Sequence, residues 1–104
     1  MIQARYETDG TRHSLSLRGH AHYDEYGKDI VCASVSAIVY ALLGWMENNP
    51  SDLENVSTAV ESGSVLIECF GGEYAAVAFS MAAIGLEQVA YTYPDHVAID
   101  IIGL

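Results

Sequence analysis

Ile30-Val31-Cys32-Ala33-Ser34-Val35-Ser36-Ala37-Ile38-Val39-Tyr40-Ala41-Leu42-Leu43-Gly44-Trp45-Met46 runs for 17 residues without a charged side chain. That length stands at the lower limit for crossing a bilayer. Ser34, Ser36 and Gly44 interrupt the run, and Lys or Arg does not stand close at both ends. We read it instead as a helix buried in a small α/β layer. The helix extends from Ile30 to Glu47 and stops at Asn48-Asn49-Pro50, because proline cannot continue it. This reading decides the fold, since the flanking segments must then supply the sheet that the helix covers.

Upstream, Met1 to Thr8 and Arg12 to Arg18 read as two strands joined at Asp9-Gly10, a hairpin signal. Ile2, Ala4 and Tyr6 share one face of the first strand, and Leu15 and Leu17 one face of the second. Downstream, strands are expected over Val56 to Glu61 and Val65 to Phe70, joined at Ser62-Gly63. Gly71-Gly72 breaks the chain before a second helix, Glu73 to Val89. From Ala75 to Ile84 that helix is apolar nearly all round, a pattern of burial on more than one side. In so small a chain the second side suits another copy of the molecule. A last strand, His96 to Ile102, puts Val97, Ile99 and Ile101 on one face. The order is ββαββαβ, an α+β two-layer α/β sandwich with two helices on one face of a mainly antiparallel sheet. The expectation is one domain over residues 1–104, with no internal repeat, low-complexity tract or linker.

Composition narrows the function. Four basic residues against 14 acidic ones give a net charge of −10. Such a surface repels phosphate backbones and argues against nucleic-acid binding by a charged face. It attracts a basic peptide or protein tail, or serves only to keep the chain soluble. Two cysteines, Cys32 and Cys69, are too few for a disulfide framework. Met1-Ile2-Gln3-Ala4 passes directly to Arg5 without the apolar region of a signal peptide. Both facts point to the cytoplasm, with no membrane partner.

The chemistry-bearing residues lie just before the long helix and in its first turn. Gly19 to Lys28 is longer than the roughly 2–6 residues that usually join a strand to a helix. It carries His20, His22, Tyr23 and Tyr26, with Gly19 and Gly27 as candidate hinges. Such loops often bind or cover ligands. If Asp29 is the N-cap, Cys32 stands at the third helical position, where unpaired amides and the helix dipole favour a thiolate. The same amides are candidate donors to an oxyanion. His20, twelve residues before Cys32, is the candidate base. His22 competes with it, and if the strand continues, alternation lets only one of the two face the thiol.

Each of these residues also has a plainer reading. A lone cysteine in Ile-Val-Cys-Ala is usually a small buried hydrophobe, and a loop histidine often only bonds backbone. Cys69 reads as core, His13 and His96 as structural or exposed strand residues, and Tyr23 and Tyr26 as loop rings able to flank a substrate. An Asp29 cap would occupy an oxyanion donor and oppose the thiolate charge. It would instead orient the histidine, or release the amide when substrate binds; we prefer a cap with a gating role.

Gly19-His20-Ala21, Gly27, Asp29-Ile30-Val31-Cys32-Ala33 and Ser36-Ala37 together resemble the signature of the ribosomal-processing cysteine proteases, the Prp family. Chain length and element order fit as well, and Ser34 and Val35 fall where the family varies. The resemblance implies a cytoplasmic, homodimeric cysteine endopeptidase needing neither cofactor nor metal. It would remove the N-terminal extension of a large-subunit ribosomal protein, cutting after an aromatic pair. By position, Cys32 would be the nucleophile, His20 the base and Gly19 the source of loop freedom, with Asp29 in support. Two alternatives stand beside it: a metal-binding module built on His20 and His22, and a non-catalytic dimeric binding module.

Overall fold

Alternation along the strands decides which side of the sheet is covered. In β1 (Ile2–Thr8), Ile2, Ala4 and Tyr6 are buried while Gln3 and Arg5 face outward. In β2 (Arg12–Arg18), His13, Leu15 and Leu17 are buried and the intervening residues are not. The computed structural model describes residues 1–103 and continues with α1 (Ile30–Asn48), a 3-10 turn over Pro50–Asp52, β3 (Leu53–Glu61), β4 (Ser64–Gly71), α2 (Glu73–Thr92) and β5 (Val97–Ile102). The expected ββαββαβ order and α+β sandwich are present. The sheet order is β3-β4-β2-β1-β5; every pair is antiparallel except β1 with β5.

The helices cover the face that carries Tyr6, Leu15 and Ile67. Val31, Val35, Val39, Leu42 and Met46 form the buried stripe of α1, at the three- and four-residue spacing of one helix face. Phe79, Ala82, Ala83 and Leu86 do the same for α2. Leu15, Ile67, Phe79 and Leu86 are fully buried. Each such side chain contributes about 1.5–3 kcal/mol relative to exposure. Both helices are long and apolar enough to cross a bilayer by length and composition, yet each turns one stripe into this common core.

Two elements depart from the sequence reading by more than one residue. The third strand begins at Leu53 rather than Val56: the register slips between Glu54 and Ser57, and Asn55 adopts a left-handed φ of 53°. This edge strand is exposed on both faces from Glu54 onward, so it lacks the alternation that marks a strand in sequence. The second helix continues past Val89 to Thr92, where the Tyr93 N–H caps it on the Val89 carbonyl. Its expected burial on a second side does not occur within one chain, because Tyr74 (70% exposed), Met81 (71%) and Tyr91 (86%) stay open.

Candidate active site

Asp29 is the N-cap of α1, and its two carboxylate oxygens do different work. Oδ1 accepts the Val31 and Cys32 N–H groups, both at 3.0 Å. Oδ2 accepts the N–H of Tyr23 at 2.9 Å and of Asp24 at 3.3 Å, tying the preceding loop to the helix. Burial pushes the Asp29 carboxyl up, but the four N–H groups outweigh it and hold the group below its ordinary range. With Asp29 at the cap, Cys32 is the third residue of α1, as expected. Its expected amide donors are engaged, however: the Val31 and Cys32 N–H groups point at Asp29, and Ala33 donates to the Asp29 carbonyl.

Cys32 is half-buried, and its sulfur accepts the Ala21 N–H at 3.4 Å. Ala21 lies next to His20, so the loop delivers the candidate base to the thiol's side of the helix. The histidines do not follow strand alternation, because the chain leaves β2 at Gly19 (φ 97°) and turns left-handed again at His22 (φ 53°). The His20 and His22 rings meet edge-on with centroids 5.9 Å apart, and both line one cleft with Cys32 and Asp29. Among the described residues no hydrogen bond joins His20 to Cys32. The His20 ring rests over Gly63, where a Cβ would stand 2.7 Å from Nε2. Gly19 admits no side chain at all, since a Cβ would collide with the Met1 carbonyl.

The cleft has a volume of about 830 Å³. Its walls are the loop, the outward stripe Cys32, Ser36 and Tyr40 of α1, and the β3–β4 turn from Glu61 to Val65. Sequence reasoning does not place this turn in a site. Its only sequence signal is the small Ser62-Gly63 pair, which lets it approach His20. The acidic Asp24, Asp29 and Glu61 line the cleft, and among the described residues no Lys or Arg does. Tyr26 is fully exposed beside it. Tyr23 instead packs edge-on against Tyr93 and His96, with centroids at 5.4 and 5.3 Å, so it anchors the loop. Cys69 is buried in β4, and His13 is buried opposite it in β2. Among the described residues no three His, Cys, Asp or Glu side chains gather as a metal-ligand set. The His20/His22 metal alternative therefore lacks a third ligand there.

Comparison with known proteins bears on family and fold. The family model for cysteine protease Prp matches residues 1–98. The chain is 35% identical over 86 residues to the ribosomal processing cysteine protease Prp of Mycoplasma genitalium, covering 83% of this chain and 85% of that protein. It is 28% identical over 90 residues to the protein of the same name from Mycoplasma pneumoniae, covering 86% and 88%. The crystal structure of an essential ribosomal processing protease Prp from S. aureus, in complex with a covalently linked product peptide, superposes with a TM-score of 0.85. That match covers 97% of this chain and 99% of that one at 20% identity, a likeness of fold.

Proposed function

The chain belongs to the Prp family of cysteine proteases and is a cysteine endopeptidase, and we propose that it trims the N-terminal extension of a large-subunit ribosomal protein through a Cys32–His20 dyad. The observation that carries the dyad is the single cleft that holds Cys32, at the start of α1, together with His20 from the loop. In this mechanism His20 takes the thiol proton, and the Cys32 sulfur attacks the scissile carbonyl carbon. The carbonyl π electrons move to oxygen; when they return, the C–N bond breaks and His20 protonates the leaving amine. Water, deprotonated by His20, then hydrolyses the thioester and releases the sulfur. Asp29 supports the site as a cap with a gating role. If the carboxylate swings off the Val31 and Cys32 amides when substrate enters, those donors become free for the oxyanion.

The relatives' names as ribosomal processing proteases support the substrate class, as does the lining of the cleft by Asp24 and Glu61 with no Lys or Arg among the described residues. A basic peptide is drawn to such a surface. The same reading makes the protein a single-domain cytoplasmic enzyme, without direct nucleic-acid or membrane partners, that works as a homodimer. The dimer is supported by the open seam of α2, where Tyr74, Val77, Met81, Ile84 and Tyr91 stand exposed at spacings of three, four and seven residues. The test is incubation with a basic peptide carrying a Phe-Phe pair near its N-terminal end, read by mass spectrometry. Cleavage after the pair is expected. Cleavage of unrelated peptides at equal rate would remove the substrate assignment and leave the protease.

A further inference from the structure

We infer that His96 is a positioning residue for the Cys32 thiol, clamping the Ala21 segment from the far end of the chain; the inference rests on the protease reading of Cys32 and His20. The His96 Nδ1 lies 2.8 Å from the Ala21 carbonyl oxygen, 75 residues away in sequence. A carbonyl only accepts, so Nδ1 carries the proton and donates. Ala21 is thereby held from both sides, its N–H on the Cys32 sulfur at 3.4 Å and its carbonyl on the imidazole. Its methyl group is buried, with 1% of the residue exposed.

The imidazole is itself fixed. The His96 N–H donates to the Tyr93 carbonyl at 3.0 Å, and its carbonyl accepts the Ile2 N–H at 2.9 Å. Its ring packs edge-on against Tyr23, which packs in turn on Tyr93. The turn from α2 into β5 is thus joined to the loop by one directional hydrogen bond and two aromatic contacts. The chain on either side of Ala21 needs such a constraint, since it turns left-handed at Gly19 and at His22. Without the imidazole donor, the Ala21 N–H can rotate away from the sulfur, and the adjoining His20 moves with it. His96 does not line the cleft and acts only through Ala21.

The experiment compares full-length variants in peptide cleavage and in alkylation of Cys32 by iodoacetamide at neutral pH, with Cys69 buried as internal reference. His96→Phe keeps a ring against Tyr23 but removes the donor, whereas His96→Asn keeps a donor near the position of Nδ1. His96→Phe is expected to lower kcat by about 10- to 100-fold with KM little changed, and to slow Cys32 alkylation. His96→Asn should restore both. Wild-type rates in His96→Phe, or an equal loss in folded His96→Asn, would overturn the inference. Should His96→Phe not fold, His96→Asn against His96→Asp gives the same contrast, since the two match in size and differ in donor character; equal rates would again overturn it. A wild-type protein that cleaves nothing would instead sink the protease reading, and the alkylation arm needs no substrate.

Discussion

Asp29 serves two segments with one carboxylate, and substitutions can separate the two. Asp29→Ala removes both sets of hydrogen bonds and should cost about 1 kcal/mol or more in a denaturant melt, as lost N-caps do. Asp29→Asn keeps an oxygen for the α1 amides but turns an amide group toward the Tyr23 and Asp24 N–H groups. It should retain most of the stability while amide exchange of Tyr23 and Asp24 speeds up. Equal exchange in wild type and Asp29→Asn would show that the carboxylate does not hold the loop. Gly63 gives a second residue-scale prediction. An alanine there is strained at φ 74°, and its methyl group would press on the His20 ring at Nε2. Gly63→Ala should therefore reduce kcat at least tenfold by displacing the proposed base. Wild-type kcat in a folded Gly63→Ala would mean that His20 works from elsewhere.

At the scale of elements, α1 and α2 both look apolar all round, for different reasons. One side of α1 enters the core, while Cys32, Ser36 and Tyr40 line the cleft. The second side of α2 stays exposed among the described residues. If this seam closes the homodimer, Met81→Glu should shift sedimentation from dimer to monomer, and a dimer that survives would place the interface on another face. Much of this was legible from local signals. Asp29 and Pro50 bracket α1, the Asp9-Gly10 and Ser62-Gly63 pairs mark two turns, and the placement of Cys32 at the helix start follows from the cap. Contacts between distant segments were not. Asn55 and the two-sided exposure of β3 hid the start of that strand. The approach of Gly63 to His20, and of His96 to Ala21, depends on the β2–β4 and β1–β5 pairings, which no local pattern encodes.

Across the whole molecule, His13 is a buried titratable group expected to lower stability as pH falls from neutrality. It is 1% exposed and stacked on Phe79; Nδ1 shares hydrogen bonds with Tyr6 and Thr8, and Nε2 lacks a protein partner among the described residues. Burial holds its pKa below the ordinary 6.5, against a smaller opposing pull from Asp9. The unfolded chain therefore takes up the proton first as pH falls. The stabilising contribution is complete above about 6.5 and is lost on descent toward the depressed folded value, at up to about 1.4 kcal/mol per pH unit. Melting temperature should fall between pH 7 and 5 in the wild type and much less in His13→Gln; equal slopes would assign the loss to other groups. The net charge of −10 acts on encounter with a basic substrate. Cleavage of a basic peptide should lose affinity as salt rises while kcat holds. The central claim is met most directly by one assay, cleavage of the Phe-Phe peptide by wild type, Cys32→Ala and His20→Ala at equal concentration, with each variant's fold checked by circular dichroism. The account predicts cutting after the aromatic pair by the wild type, none by Cys32→Ala, and a loss of at least a hundredfold in His20→Ala; a folded Cys32→Ala that still cuts would contradict it.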